Sequence, residues 1–242
     1  MKLNYPQKQN GMYVLSNDNM DEIAEAFLQE YMPKIALFPE AIDIDWLAEE
    51  CLYLDVKHKS LTHDGSVLAM LAFEDVEDLP CLNELLQDAT ICVPKGTVII
   101  DSWLSAIDQK YRRRFTLAHE VAHWILHRSY HSPFNQEYQF RTRRTPYIAC
   151  RTAGIEAKDS KLETDYDWLE WQADCLAAAI LMPKKVFTDI TNDILVSCGL
   201  YRFRVGQISN ADAYVIDKLS TTFCVSRKAT EIRLKKLGYI LV

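Results

Sequence analysis

Residues 115–127 read Phe-Thr-Leu-Ala-His-Glu-Val-Ala-His-Trp-Ile-Leu-His, and the spacing of their polar residues has a chemical sense only on a helix. His119 and His123 are four apart, so on an α-helix they share one face, about 6 Å apart along the axis. Two imidazoles placed this way converge on a single cation. Glu120, next to the first of them, is then within reach of a water on that cation and can take its proton. Phe115, Ala118, Val121, Ala122, Ile125 and Leu126 supply an apolar helical pattern around the polar groups, and no Gly or Pro falls between 109 and 132. The competing interpretation is a buried amphipathic helix with two hydrogen-bonded histidines. A third ligand elsewhere in the chain decides between them.

A catalytic zinc site takes three protein ligands and keeps one position open. The pattern in which a later histidine is the third ligand needs glycine at 126 and histidine at 129. This chain has Leu126 and Ser129 there. His127 lies eight residues after His119, about 12 Å along a continuous helix, too far to share the ion. It is assigned to the helix C-terminus, where the helix dipole favours it. Residues 164–183 offer a second helix. Thr164 with Asp167 makes a capping start and Met182-Pro183 a stop. Within it Glu170 and Asp174 are four apart on one face. Glu170 can ligate the metal, and Asp174 can accept a hydrogen bond from the far nitrogen of a ligating histidine. Trp168, Trp171, Leu176, Ala177, Ile180 and Leu181 make this helix too apolar to be solvent-facing.

Arg114-Phe-Thr-Leu-Ala-His-Glu-Val-Ala-His-Trp-Ile-Leu-His127 and Glu170-Trp-Gln-Ala-Asp-Cys-Leu-Ala-Ala-Ala-Ile-Leu-Met-Pro183 together resemble the ImmA/IrrE family of metallopeptidases. The family's usual form is similar to R-F-T-x-A-H-E-x-x-H-x-x-x-H followed by E-x-[EQ]-A-[ND]-x-x-A-x-x-[LI]-L-M-P. The segment from Phe223 to Gly238 also resembles one that many members carry. The similarity spans residues 20–242, weakly before 90, and the stretch between the two motif helices is longer than the pattern expects. The resemblance implies an α+β fold: a zincin-like metallopeptidase core with a small sheet beside the H-E-x-x-H helix and a mainly helical C-terminal part. It implies one Zn²⁺ per chain held by His119, His123 and Glu170 in a gluzincin-like site, with Glu120 as general base. The implied activity is hydrolysis of a peptide bond in a cytoplasmic protein, with a helix-turn-helix repressor of a mobile element or stress regulon as substrate.

Three parts are expected along the chain: a flexible tail at 1–19, the peptidase domain at 20–200, and a helix-turn-helix-like segment at 201–242 packed on it. Met20–Tyr31 and Asp43–Cys51 have helical spacing. Leu52–Val56, Ser66–Phe73, Thr90–Val93 and Thr97–Ile100 are β-like runs separated by Gly65, Pro94 and Gly96. Ser129–Glu163 is basic and lacks helical period, so it is either a flap beside the cleft or a surface loop, with Tyr147–Cys150 as a short strand. Tyr147 and Arg151 are the candidates for stabilising an oxyanion. Helices are expected at Lys184–Ile194, Ala211–Phe223 and Ser226–Leu237, the last capped by Ser226 and ended by Gly238.

The last two helices raise an alternative. Arg227, Lys228, Arg233, Lys235 and Lys236 would suit a DNA-binding or scaffold regulator whose metal site is structural or vestigial. Against it, residues 1–90 carry 18 acidic and 5 basic side chains, and the remainder 16 and 22, giving the net charge of −7. That balance argues against a nucleic-acid binder. Seven scattered cysteines, without a C-x-x-C pair, suit reduced thiols in a cytoplasmic protein. No apolar run approaches the length of a membrane span, and residues 1–10 are polar, so neither a membrane segment nor a signal peptide is expected.

Overall fold

The protein is described by a computed structural model covering residues 3–36, 40–132, 145–151, 162–199 and 210–240. The fold is α+β and is arranged in three layers around a mixed four-stranded sheet. Strands β1 (Asp55–Lys59), β2 (Val67–Ala72), β5 (Thr97–Asp101) and β6 (Tyr147–Arg151) lie in the order β1-β5-β2-β6. β1 runs parallel to β5, whereas β2 is antiparallel to both β5 and β6. A separate hairpin, β3 (Val76–Leu82) with β4 (Asp88–Val93), covers one face. Helices cover the other.

Side-chain alternation along the strands separates these two interfaces. Val98 and Ile100 of β5 join the core shared with the helices, and Ile99 joins the core under the hairpin. β2 is covered on both sides and is buried at every position, which is why it reads as an unbroken apolar run, Val-Leu-Ala-Met-Leu-Ala. Gly96, at φ +82, turns the chain from β4 into β5. Its N–H donates to the Ala72 carbonyl and its carbonyl accepts from Asp55.

In the helical layer, α1 (Asn17–Tyr31) starts with a capping box between Ser16 and Asn19. α2 (Ile44–Trp46), capped by Asp43, runs into a π-helical turn at Leu47–Cys51. α3 (Lys110–Leu126) carries the H-E-x-x-H residues and is followed by the short α4 (Arg128–His131). α5 (Asp165–Leu181) opens with a capping box between Thr164 and Asp167. α6 (Lys184–Ser197), α7 (Asn210–Phe223) and α8 (Arg227–Lys236) complete the chain, with Ser226 capping α8. α3 packs on β2 and β5 on one side and on α5 on the other, and α1 packs on α5. Bidentate Arg113–Asp45 bonds at 3.0 and 2.7 Å tie α3 to α2. Arg114 donates to the carbonyls of Cys224 and Ile42.

Three sequence expectations need correction. Residues 1–19 are not a loose tail where they are described. Met12 and Leu15 are buried, Leu3, Tyr5 and Tyr13 pack on the core, and Gln7 pairs with Tyr13 across a tight turn. Strand β3 went unrecognised because Glu77, Asp78 and Pro80 break its apolar pattern; these three positions are its exposed ones. In α8, Arg233, expected as a basic surface residue of the DNA-reading alternative, is buried, whereas Ile232 is half-exposed. The guanidinium of Arg233 lies 2.7 Å from Asp21 and donates to the Met182 carbonyl at 3.1 Å. The basic residue at the centre of the DNA-reading alternative therefore holds α8 against α1 and the end of α5. Most of Ser129–Glu163, expected as a flap or surface loop, and the expected boundary at 200/201 fall outside the described residues. All seven cysteines are thiols rather than disulfides, and no described helix is long and apolar enough to cross a membrane.

Arg233→Ala removes one partner of a buried pair and leaves the Asp21 carboxylate charged inside the helical layer. The expected loss of stability is about 3–5 kcal/mol, read by urea denaturation. A loss below about 1 kcal/mol would mean that Lys184, 3.9 Å from Asp21, already compensates that charge.

Candidate metal centre

α3 and α5 meet along a strip of buried polar groups. His119 and His123 point their Nε2 atoms at each other, 2.9 Å apart. Glu170, one helix across, lies 3.4 Å from each of them: Oε2 from His119 and Oε1 from His123. One ligand atom from each residue lies within 4.8 Å of the others, and both histidines are buried. Asp174, one turn after Glu170, places Oδ1 2.8 Å from His119 Nδ1. The helical spacing that suggested these four residues thus brings them into one cluster.

The cluster fits a cation on its own geometry. Each imidazole spends its Nδ1 on another side chain, so the two Nε2 atoms that face each other need something positive between them. Separations of 2.9–3.4 Å match the edge of a tetrahedron whose centre is ~2.0–2.1 Å from N and O ligands. Two imidazoles and one carboxylate are also the donor types of a catalytic zinc site.

Electrostatics point the same way. Burial works to lower the pKa of His119, but the neighbouring Cys150, Glu170 and Glu120 outweigh it and push the imidazole up to about 9. The protein without metal thus holds a proton where a cation fits. Burial pushes the carboxyl of Glu120 up to about 8, opposed by His119 and helped by Glu170. Burial would also raise Glu170, but hydrogen bonds and charge from His119 and His123 win and hold it well below the usual carboxylate range. Glu120 is completely buried, and among the described residues neither of its oxygens has a hydrogen-bond partner. An unsatisfied buried carboxylate costs free energy. Its place beside the cluster suits a group whose partner is a reacting molecule.

Four neighbours of the cluster were not assigned to the site from the sequence: His127, read there only as a helix C-terminal residue, Gln172, Cys150 and Tyr166. His127 is the C-cap of α3 and is buried. Its Nδ1 lies 2.7 Å from His123 Nδ1 and its Nε2 lies 3.0 Å from Gln172 Oε1. Burial, then His123, holds its pKa well below the usual range, so it is neutral. It is too far along the helix to be a ligand, but it is an inward-facing partner of one. The repeat at 119, 123 and 127 was its signal. Cys150, on β6, brings its sulfur within 4.8 Å of ligand atoms of His119 and Glu120. Tyr166, one turn before Glu170, donates to the Ala149 carbonyl at 3.3 Å. Partial burial, then the charges of Glu170 and Cys150, hold its hydroxyl well above the usual phenol range.

Neither expected oxyanion residue joins the cluster. Ile148 and Cys150 face the helices, so alternation sends Tyr147 to the opposite face, where it packs under the β3–β4 hairpin. Arg151 ends the strand and is exposed. Tyr166 instead places its hydroxyl at the Ala149 carbonyl, next in sequence to Cys150.

No protein-family model matches the chain, and no curated protein is significantly similar to it.

His119 and Glu120 both bind protons more tightly folded than unfolded, from ordinary values of 6.5 and 4.5 to about 9 and about 8. The stability their protons confer is complete at low pH and is lost as pH rises through the folded values. Metal-free protein is therefore expected to melt at progressively lower temperature between about pH 4.5 and 9, Glu120 contributing from about 4.5 to 8 and His119 from about 6.5 to 9. Added Zn²⁺ should restore the melting temperature most at the alkaline end, since it replaces those protons. A melting temperature independent of pH across this window, with and without zinc, would refute that electrostatic account.

Proposed function

We propose that the chain is a zinc-dependent endopeptidase with a zincin-like core. The observation that carries this reading is Glu120: a completely buried carboxylate without a partner among the described residues, adjacent to a His–His–Glu cluster of metal-ligand dimensions. A purely structural metal site has no use for such a base and closes its fourth position with a protein ligand. Resemblance of both motif helices to the ImmA/IrrE family supports the same activity and suggests a helix-turn-helix repressor as substrate.

His119, His123 and Glu170 would hold one Zn²⁺, which when bound polarises a scissile carbonyl and lowers the pKa of a water toward ~7. Glu120 takes a proton from the attacking water and returns it to the departing amine. Asp174 accepts the Nδ1 proton of His119, so that ring presents the Nε2 lone pair. Tyr166 stays protonated at neutral pH and supplies a neutral donor for the developing oxyanion. Among the described residues β6 is an edge strand of the sheet, which suits an extended peptide pairing alongside it.

The decisive variant is Glu120→Gln, which keeps shape and removes the base. It should retain zinc and fold, while cleavage of a cognate helix-turn-helix repressor, followed by fragment mass spectrometry, falls about 10³–10⁴-fold. Glu170→Ala should instead lose the metal. An active Glu120→Gln protein sinks the mechanism.

Tyr166→Phe tests the oxyanion role separately. Loss of one such donor should lower kcat about 10²–10³-fold with zinc content unchanged. Full activity in this variant returns the hydroxyl to a structural bond with Ala149.

A further inference from the structure

A chain of hydrogen bonds runs from the candidate metal centre to the segment before α1. Gln172 Nε2 lies 2.7 Å from the Tyr13 carbonyl oxygen, and Gln172 Oε1 lies 3.0 Å from His127 Nε2. His127 Nδ1 lies 2.7 Å from His123 Nδ1. Each step constrains the next. A backbone carbonyl can only accept, so the amide nitrogen of Gln172 must face it. The amide oxygen then faces His127 and also can only accept, so His127 Nε2 carries a proton. The bonded partners of His127 are an amide and an imidazole, neither of them anionic. With one proton on its ring, Nδ1 is a lone pair. That lone pair accepts the Nδ1 proton of His123, and His123 is left with a bare Nε2 aimed at His119 and Glu170.

We propose that the Tyr13 carbonyl, acting through Gln172 and His127, fixes the tautomer of His123 and so reserves its Nε2 for the metal. Gln172 and His127 are positioning residues, and the segment before α1 belongs to the site. The proposal rests on reading His119, His123 and Glu170 as metal ligands. The far end of the chain of bonds is held firmly. Met12 is buried, its N–H donates to Asn10 Oδ1 at 3.1 Å, and Asn10 Nδ2 donates to Asp165 at 2.7 Å. Lys8 pairs with the same Asp165 at 3.1 Å, and Gln7 bridges to Tyr13. The first turn of α5 therefore anchors the loop that carries the Tyr13 carbonyl, and the middle of α5 reads it through Gln172. Once its Nε2 proton is displaced, His119 would reach the same tautomer by a different route, through the carboxylate of Asp174. The two candidate ligands thus have one anionic and one neutral outer partner.

Long-range ¹H–¹⁵N spectra of the full chain with ¹⁵N-labelled histidine report which ring nitrogen carries each proton. His127 is expected to be protonated on Nε2 and bare on Nδ1, with His123 protonated on Nδ1, both before and after Zn²⁺ is added. A proton on His127 Nδ1 overturns the proposal, whatever the peptidase activity. Two variants separate polarity from packing, with zinc affinity read by competition against a chelator. Gln172→Met keeps length but removes both polar atoms, and should weaken Zn²⁺ binding about 10–100-fold and mix the His127 tautomers. Gln172→Glu keeps an acceptor opposite His127 and should hold zinc within a few-fold of the unaltered chain. Equal losses in the two variants with unchanged tautomers would show packing alone and overturn the proposal. Zinc uptake with the stated tautomers, but without peptidase activity, supports it while the peptidase reading fails. A chain with the stated tautomers that takes up no zinc overturns both.

Discussion

The contact between α3 and α5 governs the rest of the structure. These two helices bury both apolar and ionisable groups on one interface. Leu117, Ala118, Val121 and Ala122 of α3 and Leu169, Ala173, Leu176 and Ala177 of α5 are all buried. Alanines on both helices suit close approach, which lets side chains as short as Glu and Asp reach across to imidazoles. Leaving one of these polar groups unsatisfied would cost about 1–3 kcal/mol, so the interface tolerates them only as a connected set. His119 has Asp174, His123 has His127, and His127 has Gln172. Among the described residues Glu120 stands outside that set, and the proposed peptidase reading rests on that difference.

The three-layer arrangement supplies the surroundings that contact needs. The sheet is covered on one face by the helices and on the other by the β3–β4 hairpin, so β2 and β5 form a dry floor under α3. β6 ends the sheet on the side where Cys150 and Tyr166 approach the cluster. An ion pair between two distant parts of the sequence, Asp21 and Arg233, then closes α8 onto α1, and the Arg233 bond to the Met182 carbonyl ties it to the end of α5. That placement removes Arg233 from solvent and turns a basic, helix-turn-helix-like segment into a structural brace.

Period and capping made much of this legible in advance. A four-residue spacing gave His119 with His123 and Glu170 with Asp174, and Thr164 with Asp167 marked the start of α5. What the spacing could not give was direction across space. His127 continues the same four-residue repeat, yet measuring only its distance along the axis dismissed it; the buried face it shares was the better clue. Gln172 is a lone amide in an apolar stretch, a signal visible in the sequence but without a partner there, because its partner is a backbone carbonyl 159 residues away. Tyr147 stands out in the sequence because nothing local to β6 says which of its faces meets the helices. β3 was hidden by charges that lie on its solvent side.

Charge accounts for how these elements act together. Glu120, Glu170 and Asp174 gather around two imidazoles in a place from which water is largely excluded, so the cluster is short of positive charge. Without a cation it takes protons instead, on His119 and on Glu120. The same burial that makes the cluster attractive to a divalent ion therefore makes the empty cluster a proton trap, and the two occupants exclude one another. A dication would withdraw the proton from His119 and also favour the charged form of Glu120, the form a general base needs. On the proposed reading, binding an ion and deprotonating Glu120 would be one electrostatic event, because both groups respond to the same deficit of positive charge.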